Sequence, residues 1–261
     1  MLRSLTTAAT GMIAQQLNID VISNNLANVN TNGYKKVRAE FQDLLSQTIK
    51  SPGAQGAQGT NQPVGIQVGL GTRTSATDRI FAAGALKSTE NPLDIAIEGN
   101  GFLQVQLDDG TLAYTRDGGL KISSQGQLTT TDGYSIQPQI TIPPNATDIV
   151  ITSDGKVSVK TAGSTAQTQV GSLQLAKFAN PAGLLAMGKN LYTETQASGS
   201  PLKGTAGQEG FGSIQQGFLE GSNVQVVEEL INLIQAERAF EANSKLITSS
   251  DEILKTVNRI A

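Results

Sequence analysis

The sequence predicts an α+β chain: two long terminal helices paired as a coiled-coil stalk, an extended linking region, and a central antiparallel β-rich domain. Three observations lead there. All 8 prolines fall between Pro52 and Pro201, so helix-breaking residues are concentrated in the middle and kept out of both ends. Of the 28 glycines, only Gly11, Gly33 and Gly221 lie outside residues 51–220. Apolar spacing also changes, from steps of three and four near the termini to alternation between them. The resulting division assigns 1–30 and 222–261 to the helices and 31–80 and 196–221 to the linking region. A Gly/Gln-rich insertion at 51–71 interrupts the first linking segment, and 81–195 form the β-rich domain.

The first helix follows from Leu2, Leu5, Ala9, Met12, Gln16, Ile19, Ser23 and Leu26, which step by three and four as a coiled-coil seam does. Ile13, Leu17 and Ile22 widen that stripe beyond what one partner would cover. The helix stops at Asn28-Val29-Asn30-Thr31-Asn32-Gly33, where Asn and Gly supply backbone conformations that end helices. About 27 residues make a rod of roughly 40 Å.

The second helix is predicted to open on a capping box at Ser222-Asn223-Val224-Gln225 and to run free of Pro and Gly to Ala261. Val227, Leu230, Ile231, Ile234, Ala239, Ala242, Leu246, Ile253, Val257 and Ile260 hold one face at steps of three and four, with occasional gaps. Glu241 with Lys245 and Asp251 with Lys255 are acid-before-base pairs that support the other. A helix this long outruns a domain of this size, so part of its stripe needs cover from elsewhere, and further copies of the chain are the natural source. The expected assembly seam is therefore Leu2, Leu5, Ala9, Met12, Ile19 and Leu26 with Val227, Leu230, Ile231, Ile234, Leu246, Ile253, Val257 and Ile260.

The middle reads as strands and turns. Leu93 to Ile97, Phe102 to Leu107 and Val170 to Phe178 alternate at period two. Asp109-Gly110, Asp132-Gly133 and Asp154-Gly155 sit between alternating runs as hairpin signals. Short, closely spaced strands predict an antiparallel sandwich or barrel over about 80 to 195.

Composition narrows the function. The 261 residues include no cysteine, histidine or tryptophan, so the usual zinc ligands, thiolate nucleophiles and the neutral-pH proton shuttle are missing. Of the carboxylates Asp108, Asp109, Asp117, Asp132 and Asp154, four sit in or beside predicted turns, where bonding to local backbone is their common role. The expectation is no catalytic residue, no cofactor and no metal: the chain is not read as an enzyme. A net charge of −3 gives no reason to expect nucleic acid. No run of about 18 apolar residues suggests membrane insertion, and the N-terminus does not read as a Sec signal peptide.

The run Asn24-Asn25-Leu26-Ala27-Asn28-Val29-Asn30-Thr31-Asn32-Gly33-Tyr34-Lys35-Lys36 resembles the motif that closes the first helix in the axial rod and hook protein family of the bacterial flagellum. Its family positions are Asn24, Asn25, Leu26, Ala27, Asn28, Asn30, Thr31, Gly33 and Tyr34. Glu228 to Lys245 is similar to the other end of that family. Gly65 to Arg73, Asp94 to Phe102 and Asn190 to Thr195 bring the likeness nearest to the distal part of the rod, with proximal rod members the nearest confusion. The resemblance implies a self-assembling helical homopolymer, a drive shaft crossing periplasm and outer membrane. Its implied partners are proximal rod proteins, the hook protein, P ring and L ring proteins, and the flagellar export apparatus, by which it leaves the cell without a Sec signal. A secreted fibre or adhesin subunit is the alternative of a different class.

Overall fold

The computed structural model describes residues 2–50, 64–162 and 166–260. Most of the Gly/Gln-rich insertion, residues 51–63, lies outside the described residues, as do the side chains of Leu2 and Ile260. The chain divides into two compact units. One comprises 1–26, 37–78 and 225–261, and the other 27–36 and 79–224. Residues expected to form a separate linking region are thus shared between them. Among the described residues, no helix is long and apolar enough to cross a membrane.

In the helical unit, α1 spans Leu2–Ala27 and α2 spans Val226–Ile260. The two are antiparallel. Asn25 near the end of α1 bonds Glu229 near the start of α2, and a Cβ placed on Gly11 would come 3.0 Å from the Asn243 side chain. Gly11 and Asn25 are fourteen residues apart, as are Glu229 and Asn243, so both contacts belong to one register about 21 Å long. Strands Val37–Asp43 and Thr72–Arg79 pair beside the helices. Gly71 lies against α1 so closely that a Cβ there would meet Thr10 Oγ1 at 2.2 Å, and its φ of +117° also favours glycine.

The second helix starts later than the capping box predicted. Ser222 Oγ accepts from the Val224 amide, and Asn223 is engaged elsewhere, accepting from the Lys36 amide and donating to the Ile80 carbonyl. Ser222 Oγ is thus spent on the Val224 amide rather than the third helical one, and the first helical bond runs from Glu229 N to the Gln225 carbonyl. Glu228 and Glu229 place negative charge in the first turn, where the helix dipole favours it.

The β unit is antiparallel throughout its described ladders. Its largest sheet, nine-stranded among the described residues, orders Leu185–Gly188, Leu191–Thr193, Leu112–Thr115, Phe102–Gln106, Ser135–Gln137, Leu128–Thr130 and Leu120–Ile122. Strand Gln174–Lys177 joins it by pairing both Phe102–Gln106 and Leu202–Thr205. The 196–221 segment, expected to link, instead supplies three strands. Leu202–Thr205 is one, Ser213–Gln216 pairs Ile95–Glu98, and Phe218–Glu220 pairs Leu86–Ser88. Glycines at 204, 210, 212 and 217 break the alternation that would have marked these strands in the sequence.

Alternation along Phe102–Gln106 sorts side chains onto two cores. Leu103 and Val105 enter an aliphatic cluster with Ile97, Leu128, Ile136 and Leu175. Phe102 faces the other way, into Tyr114, Phe178 and Tyr192, with Phe81 packed against them. Ring pairs such as Tyr114–Phe178, 4.8 Å between centroids, meet edge to face. An aromatic-poor chain has therefore gathered five of its eleven aromatics in one place.

Gly118 tests this packing. A Cβ there would lie 1.7 Å from the Ile95 carbonyl oxygen, so backbone must move, whereas Gly110 in an open turn meets nothing within 4 Å. Urea unfolding of Gly118→Ala is expected to show a loss of about 3 kcal/mol. Gly110→Ala, strained only by its φ of +81°, is expected to lose about 1 kcal/mol.

Candidate assembly surface

The terminal helices have two lines of residues with opposite fates. On α1 the covered line is Ala8, Ala14, Ile22 and Asn25, with Gly11 half-buried between them. The line that the apolar spacing picks out, Leu5, Ala9, Met12, Ile19 and Leu26, is only half-buried. Positions 8, 22 and 25 each precede a seam position by one residue, a rotation of about 100° around the helix. Ile13 projects further still, at 66% exposed.

The division on α2 is sharper. Glu229 and Ala236 are buried, with Leu233, Ala239, Asn243, Ile247 and Leu254 half-buried along the same side. Val227, Leu230, Ile231, Ile234, Leu246, Ile253 and Val257 are exposed, Val227 at 71% and Leu246 at 58%. Contacts within the chain thus use small and polar residues together with Ile22 on α1 and Leu233, Ile247 and Leu254 on α2, while a second set of apolar residues on α2 stays exposed. Single exposed apolar residues are ordinary on a protein surface; the seven on this 35-residue helix fall in two groups, 227–234 and 246–257.

The family motif divides as well. Asn25 is buried and makes a two-point contact with one residue: its Oδ1 accepts from Val37 N at 2.9 Å and its Nδ2 donates to Val37 O at 2.8 Å. The same amide nitrogen reaches Glu229 Oε2 at 3.2 Å. One side chain therefore joins α1, the strand Val37–Asp43 and α2. Leu26, Asn28 and Thr31 are half-buried, and Asn24, Ala27 and Asn30 are exposed. Thr31 N closes a turn onto Asn28 O, and Gly33 adopts a φ of +70°. The three residues that follow the turn, Gly33, Tyr34 and Lys35, are buried in the β unit.

Lys35 enters a charge network that the sequence reading did not anticipate. Its ammonium donates to Glu220 Oε1 at 2.6 Å and to the Ala82 carbonyl at 2.7 Å. Arg116 donates through Nε to Glu220 Oε2 at 2.9 Å, and its remaining donors meet the carbonyls of Gly99, Gly101 and Ile97. Burial pushes the Glu220 carboxyl up, but Arg116 and Lys35 outweigh it and hold the group below its ordinary range. Burial also lowers Lys35, against the pull of Glu220. Only Lys35 lay near a motif in the sequence. Glu220 and Arg116 are 104 residues apart in unremarked positions, and no spacing rule connects them.

The turn carboxylates behave as turn residues. Asp109 Oδ1 accepts from both the Thr111 hydroxyl and amide, which lowers its pKa. Asp117 accepts from the Gly119 amide and is raised by burial.

Comparison with known proteins bears on the whole chain. Residues 5–35 match the family model of flagella basal body rod proteins, 96–159 that of the flagellar hook protein FlgE/F/G D1 domain, and 215–260 that of the flagellar basal body rod FlgEFG protein C-terminal region. The flagellar basal-body rod protein FlgG of Buchnera aphidicola from Acyrthosiphon pisum is 49% identical over 260 residues, covering 100% of both chains. The protein of that name from Borreliella burgdorferi is 48% identical over 262 residues, covering 100% of this chain and 99% of its own. That of Bacillus subtilis is 44% identical, covering 98% and 97%.

Asn25 sets a test of the helical unit. Asn25→Leu keeps the shape but strands the Val37 amide and carbonyl and removes a donor from Glu229. A loss of about 2 to 4 kcal/mol is expected, read as faster amide exchange at Val37 and a lower urea midpoint for helix signal.

Proposed function

The chain belongs to the FlgG family of flagellar basal-body rod proteins, and from that premise we propose how it builds its part of the rod. It is a structural subunit of the distal rod. The outward apolar line of α2 is the surface by which copies join, and α1 contributes Ile13 with the half-buried residues Leu5, Met12, Ile19 and Leu26. The single observation that carries this reading is that the apolar line of α2 remains exposed after α1 and the strands of its own unit have packed.

The magnitude argues for several neighbours. Seven side chains near half exposure gain about 1 kcal/mol each on full burial, or roughly 7 kcal/mol together. Immobilising one partner costs on the order of 4 to 15 kcal/mol. A single pairing roughly breaks even, whereas a subunit held on several sides is stable. Head-to-tail contacts that do not close give a helical filament, the form a shaft requires. Coiled-coil packing of the termini is then a property of the assembly, formed between chains along the apolar seam.

On the same reading the strand pair Gln47–Lys50 and Ile66–Val68 is an arm covered by neighbours. It is two-stranded, with Ile49 at 59% and Ile66 at 52% exposed, and a lone strand pair is marginal in water. The finer assignments rest on the family: torque transmission to the hook, proximal rod proteins and hook protein at the two ends, P ring and L ring proteins around the shaft, and delivery by the flagellar export apparatus. A structural role is favoured over catalysis by relatives that are rod proteins by name.

Two measurements test the proposal. Leu246→Asp with Ile253→Asp places charge on the apolar line at positions already more than half exposed. The monomer should keep its helical signal, while filaments seen by electron microscopy and pelleting should disappear. Wild-type filaments from the double variant would end the reading. Deleting 51–71 should leave the β unit folded and shorten the polymer's persistence length; unchanged bending would remove the arm from the account.

A further inference from the structure

Residues 27–36 belong by contact to the β unit, yet contribute nothing to either of its apolar cores. Their hold is polar. Gly33 N donates to the Glu220 carbonyl at 2.8 Å, Lys36 N to Asn223 Oδ1 at 2.7 Å, and Asn190 Nδ2 to Asn32 O at 2.9 Å. Ile80 N donates to Lys36 O at 2.9 Å, and the Arg79 guanidinium sits 5.9 Å from the Tyr34 ring centre. At the centre, the side chains of Lys35 and Glu220 are fully covered and that of Arg116 is 4% exposed. Two cations share one anion. Glu220 Oε1 also accepts from Gly84 N at 3.0 Å, so the carboxylate gathers residues 33–35, 82–84 and 116 around itself.

We propose that residues 27–36 form a strap latched to the β unit by the carboxylate of Glu220, and that neutralising this carboxylate releases the strap while both apolar cores stay folded. The asymmetry of charge gives the latch its action. Without the anion, Lys35 and Arg116 face one another as buried cations with no counter-charge, and breaking a buried pair on one side is far more damaging than removing both partners. The strap is the part able to leave. It offers Tyr34 and the Lys35 stem as covered apolar surface, whereas Arg116 is bound to three carbonyls of the sheet unit.

Acid should open it. The groups facing Glu220 are Lys35 from the strap, Arg116 beyond strand Leu112–Thr115, Tyr192 with Arg79 upon it, and the Lys87 stem beside Gly221. Tyr192 is raised by burial and stays neutral, and the basic groups stay charged in acid, so Glu220 is the group among them that changes. Its folded pKa is depressed. The stabilisation is therefore fully present above the ordinary carboxylate value and is lost as pH falls through the lower folded one.

Amide exchange of the full-length chain decides the matter. In Glu220→Gln at neutral pH, protection at Gly33 and Ile80 should fall about a hundredfold while that of strand Phe102–Gln106 is unchanged. Wild type taken below the ordinary carboxylate range should reproduce the pattern, expressed as protection factors. Adding Lys35→Met to Glu220→Gln removes the opposed cation and should restore about tenfold of the lost protection. Unchanged exchange at Gly33 and Ile80, a parallel loss throughout Phe102–Gln106, or no recovery in the double variant would each overturn the latch.

Discussion

α1 and α2 are held within one chain by directional polar and close-packed contacts set among aliphatic ones, and much else follows from that arrangement. Ile22, Leu233, Ile247 and Leu254 supply covered apolar surface, and the directional contacts supply position. The latter are an amide to a carboxylate, Asn25 to Glu229, and a glycine against an amide, Gly11 to Asn243. Such contacts gain little by area burial but are particular about position. A buried hydrogen bond is lost by a slip of one residue, and a close approach at glycine exists at one place only, so the two together set the register of the helices. Gly71 against Thr10 places the 72–79 strand on α1 by the same means.

The β unit divides its labour in a comparable way. Its cores are apolar and conventional, with strand alternation sorting aliphatic from aromatic side chains. Its connection to the motif segment is ionic and buried, which is an expensive arrangement unless every donor and acceptor is met. Arg116 meets that demand with one carboxylate and three carbonyls, and Lys35 with the same carboxylate and one carbonyl. Such a network forms only when segments far apart in sequence are all in place, so it discriminates the native arrangement from partly docked ones.

Much of the fold was legible because its signals are local. The extents of both helices follow from where Pro and Gly are excluded, and α1 ends at Ala27 as the Asn-rich run after it requires. Strand Leu112–Thr115 and the hairpins around Asp109-Gly110, Asp132-Gly133 and Asp154-Gly155 are likewise short-range. The strands at 202–220 were hidden by glycines placed where backbones cross closely, as at Gly212, whose Cβ would strike the Glu98 carbonyl. The cap of α2 was misplaced because a capping box is a statement about neighbours in sequence, and the Ser222 hydroxyl accepts from Val224 instead of the amide three residues on. The motif was visible as a motif, but its pairings with Glu229 and Glu220, and that of Glu220 with Arg116, were not, since pairing across 104 or more residues leaves no spacing to read.

Periodicity identifies which residues want cover without saying whose cover they receive. Within each of its two groups the exposed apolar set of α2 is spaced much as the covered line beside it is, and hydrophobicity alone favours the first. Chemistry separates them. Residues such as Gly11, Asn25, Glu229 and Asn243 are useful to a partner whose position is already fixed by the chain, where a short-range directional contact can be met every time. Leu and Ile tolerate small changes of angle and depth, because burial is non-directional. A subunit that must take neighbours on several sides, each at a different inclination, is better served by the tolerant residues on its outside. On the proposed assembly, the directional covered contacts hold the subunit to one shape, and the exposed apolar residues of α2 let identical shapes accumulate.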